Sequence, residues 1–168
     1  KLSRILKDAH IEHVGSTSVP GLGGKGIIDI AIGIKKTDID KSIKTLSKAG
    51  WEYRPKHPGN DKDKFFFKIY KDKGKERRVH IHLIEYKGDF WESFITFRDY
   101  LIENKKIMKE YDKIKRQAAR LAKGDGYKYA DHKIDFIRTH ARKAMDVSQI
   151  KIEVVNNKDL TYEQKEII

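Results

Sequence analysis

His13-Val14-Gly15-Ser16-Thr17-Ser18-Val19-Pro20-Gly21-Leu22-Gly23-Gly24-Lys25-Gly26 runs directly into Ile27-Ile28-Asp29-Ile30-Ala31-Ile32-Gly33-Ile34. The first part is rich in glycine and hydroxyl side chains and carries one lysine. Glycine lets backbone N–H groups close on phosphate oxygens, and hydroxyls add donors. Gly15, Ser16, Thr17, Ser18 and Lys25 are therefore expected to contact a nucleotide or another phosphorylated small molecule. It is not a P-loop: Val19 stands where the first glycine should be, Gly26 follows Gly24-Lys25, and a strand rather than a helix comes next.

The second part alternates strictly. Ile28, Ile30, Ile32 and Ile34 share one strand face, which must be buried, and Asp29, Ala31 and Gly33 share the other. A carboxylate among isoleucines is costly on a covered face and useful beside a ligand or metal. Val79-His80-Ile81-His82-Leu83 repeats the pattern, so His80 and His82 project together. Histidines two apart on a strand can reach one ion or one phosphate. Asp29, His80 and His82 are the expected catalytic and metal-ligating residues.

Outward from these strands the reading is α+β: a small mixed β-sheet with a C-terminal layer of helices. Ile11–Gly15 is a short strand, Asp38–Ala49 a helix with Ile39, Ile43 and Leu46 on one face, and Trp51–Arg54 a further short strand. Phe65–Tyr70 and Arg78–Ile84 form a hairpin around Asp72-Lys73-Gly74-Lys75. Lys56–Lys64 is a polar loop. Three amphipathic helices follow. Their apolar faces carry Phe90, Phe94, Phe97 and Leu101; then Ile107, Tyr111, Ile114, Ala118 and Leu121; then Ala130, Ile134, Ile137, Ala141 and Ala144. Asp89 and Glu92 have capping spacing at the start of the first. The spacing marks Phe90, Phe94 and Phe97 as core rather than as a base-stacking platform.

Lys1–Ala9 reads as the last turns of a helix begun upstream. Residues 1–146 form the main domain, and 147–168 a C-terminal extension that reads as a tail or as the start of a fused downstream domain. In it Ile150–Val155 looks like a strand, and Thr161-Tyr162-Glu163-Gln164 like a helix start.

The 168 residues suit one domain, and 37 Lys+Arg against 25 Asp+Glu give a net charge of +12. That balance favours an anionic partner. Nucleic acid is compatible with it, although no RNA-recognition motif, zinc knuckle or helix-turn-helix pattern occurs. The chain has no cysteine, which excludes disulfides, a thiolate nucleophile and a cysteine-based zinc site. No apolar run reaches the ~18–20 residues of a membrane span, so the default is a cytoplasmic chain with no membrane partner.

The glycine loop and its strand resemble those of the GrpB-like family, which has a nucleotidyltransferase-type fold. The resemblance continues through Gly50-Trp51-Glu52-Tyr53-Arg54-Pro55, His80-Ile81-His82-Leu83, Phe97-Arg98-Asp99-Tyr100-Leu101, Tyr111 with Lys115, and Lys133 with Phe136-Ile137, covering about residues 5–146. It implies that Gly15-Ser16 holds a nucleotide triphosphate and that Asp29 is the first of two alternate carboxylates binding divalent metal. Position 31 should carry the second, but it is Ala31, and no third carboxylate is apparent. Two-metal chemistry needs anionic ligands on both ions. One carboxylate with two histidines suits a single Mn²⁺ or Zn²⁺ better than a pair of Mg²⁺. Lys25, Arg98, Lys115 and Lys133 are candidates for a positive phosphate lining. Three functions follow as expectations. One is metal-assisted nucleotidyl transfer to an unidentified acceptor. Another is a non-catalytic nucleotide- or phosphate-binding accessory module. The last is a single-metal hydrolase using Asp29, His80 and His82.

Overall fold

A computed structural model describes residues 2–55 and 62–158, with the backbone alone at 127 and 147–158. Ile27–Ile34 is the central strand, β2, of a five-stranded mixed sheet. On one side it pairs antiparallel with β1 (His10–Val14), and on the other it pairs parallel with β5 (Lys75–Glu85). Antiparallel β4 (Lys64–Asp72) and β3 (Glu52–Tyr53) complete the order β1-β2-β5-β4-β3. The β4–β5 hairpin turns through Lys73 and Gly74, both at positive φ, as a two-residue turn matched to strand twist requires.

The sheet is covered on both faces. Ile32, Ile34, Phe66, Ile81 and Leu83 meet Leu46 of helix α2 (Ile39–Lys48) and Leu6, which follows α1 (Leu2–Ile5). On the opposite face Val14, Ala31 and Ile84 pack with Trp91 of α3 (Asp89–Glu103). Gly33 admits that ring: a Cβ there would stand 2.6 Å from Trp91 Cε3. Helices α4 (Lys105–Ala122) and α5 (Gly126–Lys158) complete the helical layer, with Tyr111 packing beside Val19, Leu22 and Leu101. No helix among the described residues is long and apolar enough to cross a membrane.

Several local expectations shift. The helix over Lys1–Ala9 is confined to α1, and β1 starts at His10. Asp89 is the first residue of α3, not its cap, which is Gly88. Leu121 is 53% exposed, and Lys115 and Ala122 take the buried positions beside Tyr111 and Ala118. The apolar stripe drifts because a buried lysine sits where periodicity counts only hydrophobes. Ile150–Val155 is helical rather than a strand: no glycine or proline interrupts α5 there, and the helix runs on from the preceding turns. Residues 56–61 of the polar loop and the 161–164 helix start lie outside the described residues.

Candidate functional site

Gly15 leaves β1 at φ 70° and ψ −168°, backbone geometry essentially reserved for glycine. Ser16–Ser18 then form a single 3-10 turn. The Ser18 hydroxyl donates to the Gly15 carbonyl at 2.6 Å, and the Thr17 hydroxyl donates to the Ile27 carbonyl at 3.0 Å. His13 Nε2 lies 2.9 Å from the same Thr17 oxygen. Thr17, Ser18 and His13 thus brace the loop internally. Gly15 and Ser16 line the cavity beside it. Further along, the Gly23 N–H donates to Asp112 at 3.1 Å, and the Lys115 ammonium donates to the Gly23 carbonyl. Helix α4 thereby pins the loop across 89 residues of chain.

Parallel pairing sets Asp29 directly opposite His80, and His80 Nδ1 is 3.2 Å from Asp29 Oδ1. His82 shares that face but pairs elsewhere, its Nδ1 2.7 Å from Asp63 Oδ2. Asp63 is 6% exposed, and its other oxygen, Oδ1, has no hydrogen-bond partner among the described residues. Burial alone would lower the pKa of His82, but the Asp63 carboxylate outweighs it and raises the value above 6.5. The two histidines share a face as the alternation requires, yet each is tied to its own carboxylate.

Three of the four candidate cations converge. The ammonium groups of Lys25 and Lys133 lie 3.8 and 4.0 Å from the centre of the Tyr129 ring. Burial, reinforced by neighbouring Lys25, brings the Lys133 pKa down to about 8, and Asp29 offsets part of that fall. Lys115 falls to about 8 through burial and the charge of Lys133, again opposed by Asp112 and Asp29. The Tyr129 phenol is held protonated by burial and by Asp29, so it contributes no countercharge. Arg98 is separate. It donates to Asp99 and Glu12 at 2.7 Å each and to the His13 carbonyl at 3.0 Å.

A cavity of about 940 Å³ opens between the loop, α3 and α5. Phe90, Phe94 and Phe97 are half-buried: they pack against the core around Trp91 and Leu101, the buried residues of α3, as the spacing predicts, and also form the cavity wall. Helical spacing identifies an apolar stripe without distinguishing a neighbour from a void. Ala130 and Ile134 of α5 are exposed and likewise face this space.

Asp63, Tyr129 and Asp112 were not apparent as site residues. Asp63 ends a polar loop and lacks any strand alternation, and Tyr129 and Asp112 sit on helices remote from the glycine loop in sequence. Their signal is only positional.

Metal chemistry of the type the fold implies requires carboxylates beyond Asp29. Ala31 holds the alternate position and is fully buried beneath Trp91 and Ile84, while Asp63 is engaged by His82. Among the described residues, no group of three His, Asp or Glu side chains is placed to hold an ion. The donor set present does not fit a two-metal centre.

Comparison with known proteins places these features. A family model described as GrpB protein matches residues 1–143. Glutamate-rich protein GrpB of Alkalihalophilus pseudofirmus is 33% identical over 130 residues, covering 76% of this chain and 74% of that protein. A dephospho-CoA kinase of Mycobacterium leprae is 28% identical over 167 residues, covering 83% of this chain but 40% of the kinase. The crystal structure of GrpB from Enterococcus faecalis superposes with a TM-score of 0.72 at 28% identity, covering 88% of each chain. A match over residues 1–143, which include the glycine loop and the whole sheet, shows that the chain belongs to the GrpB family.

Proposed function

We propose that this domain binds a phosphorylated small molecule, with the phosphate at Lys25, Lys115 and Lys133 beside Gly15-Ser16 and the organic body in the adjoining cavity. The observation that carries this reading is the convergence of three lysines near two carboxylates, Asp29 and Asp112, of which Asp112 is already engaged by Arg116 and the Gly23 N–H. At neutral pH that cluster holds more positive than negative charge, with two of its cations depressed by mutual repulsion and burial. A phosphate dianion supplies the missing countercharge without needing a metal. A nucleotide is one such ligand. The relative named dephospho-CoA kinase makes dephospho-CoA another to try.

Nucleotidyl transfer is the second reading, favoured by Gly15 lying against Asp29 and by Ser16 and His80 lining the same cavity, the loop placement that the fold resemblance implies for a nucleotide triphosphate. The absence of a second carboxylate at Ala31 puts it behind the binding module. Hydrolysis through a single ion at Asp29, His80 and His82 ranks lower still, because His82 is tied to Asp63.

Thermal-shift titration with pyrophosphate, dephospho-CoA and the four ribonucleoside triphosphates separates these, each run with EDTA, Mg²⁺ or Mn²⁺. A ligand at 100 times its Kd adds about 2.7 kcal/mol, or about 5–10 °C at this size. The binding module gives a shift that survives EDTA and falls to about half in Lys133→Met. A shift that needs the ion and vanishes in Asp29→Asn supports transfer instead. No shift with any ligand would sink the phosphate-site reading.

A further inference from the structure

The face of the sheet that carries Asp29 and His80 continues beyond the cavity along the β4–β5 hairpin. Register places Phe67 opposite His80, Ile69 opposite Arg78 and Lys71 opposite Glu76, all on that one face. From Tyr70 to Arg77 the hairpin has no lateral strand, because β3 pairs only as far as Phe67 and β2 only from Arg78. Phe67 is half-buried, Ile69 is 45% exposed, and the Arg54 guanidinium lies 5.8 Å from the centre of the Phe67 ring. Arg54 and Arg78 pair with Glu52 and Glu76 at 2.9 and 3.0 Å, but all four side chains are more than half exposed. Exposed pairs of this kind are weak in water and yield readily to a phosphate.

An aromatic ring, an exposed aliphatic side chain and flanking cations on one open strand face have the makings of a single-strand nucleic-acid platform. Bases stack on the ring while Arg and Lys follow the backbone. We propose that Phe67, Ile69, Arg54, Lys71 and Arg78 bind single-stranded nucleic acid. The cationic side chains around the ring, complementary to a phosphate backbone, favour this occupant. A duplex keeps its bases stacked inside and offers nothing to Phe67, and a ribbon with one ring and one isoleucine on this face is too polar for insertion into lipid. Phe67 adjoins His80, but none of these five residues belongs to the lysine cluster, so either assignment can fail without the other.

Fluorescence anisotropy with a labelled single strand of about 16 nucleotides, its duplex and heparin tests the proposal across about 50–200 mM salt. The single strand, as RNA or DNA, should bind at least tenfold more tightly than the duplex. The double variant Lys71→Glu with Arg78→Glu should weaken it at least tenfold and flatten the slope of log K against log salt by about 1.4, two phosphates at about 0.7 each. Phe67→Leu keeps an apolar side chain and should cost about threefold or more on the single strand with the salt slope unchanged. Circular dichroism and the pyrophosphate thermal shift establish that the variants are folded. The proposal is overturned if the wild-type chain binds no single strand at low salt, if duplex or heparin binds as well as the single strand, or if both variants bind like wild type.

Discussion

A Cβ on residue 15 would stand 2.4 Å from Oδ2 of Asp29. The loop thus approaches the carboxylate as closely as a backbone can, and only glycine permits it. This contact joins the end of β1 to the one acidic residue on the site face of β2, which is why the loop and Asp29 act as one structural unit.

Gly15→Ala combines that collision with a φ of 70° that alanine rarely adopts. We expect a loss of about 2–4 kcal/mol in unfolding free energy, measured by urea denaturation. Pyrophosphate binding should fall as well, because Asp29 must move to relieve the clash. A variant as stable as wild type would show that the loop relaxes without disturbing the carboxylate.

Restoring the second carboxylate should fail. Ala31 is fully buried against Val14, Ile84 and Trp91, so Ala31→Asp places a charge beneath the Trp91 ring, and His82, its register partner on β5, is already engaged by Asp63. The expected cost is about 3 kcal/mol or more, with no gain in Mg²⁺ affinity by isothermal calorimetry. A folded Ala31→Asp protein that binds Mg²⁺ tightly would show that the metal centre is one residue from completion.

The His82–Asp63 pair should stabilise the fold in acid rather than in base. The folded pKa of His82 lies above its unfolded value of 6.5, so its contribution is complete below pH 6.5 and disappears as pH rises through the folded pKa. Asp63→Asn removes the partner and leaves burial to dominate, which reverses the direction of the shift. NMR titration of the His82 ring should find the midpoint above 6.5 in the native chain and below it in the variant. Unfolding at pH 6 should be easier in the variant by about 1–3 kcal/mol.

Lys133→Met should separate stability from binding. The native lysine is held down to about 8 by burial and by Lys25, so its charge is a cost to the free protein at neutral pH. Removing it should leave unfolding free energy at pH 7 unchanged or raise it by about 1 kcal/mol. The affinity for pyrophosphate should fall about tenfold. In the native chain the same affinity should weaken as pH rises through 8, where Lys115 and Lys133 lose their protons. Affinity that is flat between pH 7 and 9 would remove both lysines from the site.

What could be read along the chain followed from short-range repetition. Period-two alternation in residues 27–34 and 79–83 defines β2 and most of β5, and puts Asp29, His80 and His82 on a common face, because adjacent side chains on a strand must point in opposite directions. Excess glycine and hydroxyl side chains mark the Gly15–Gly26 loop for the same local reason. Tertiary structure alone decided how those residues are engaged. Whether His82 meets Asp29 or Asp63 depends on where β4 begins. Whether Phe94 also borders a cavity depends on how far α5 stands from α3. Whether Lys133 joins Lys25 and Lys115 depends on α5 being brought against the glycine loop across more than a hundred residues. Local sequence restricts which way each side chain points; only packing determines what it finds there.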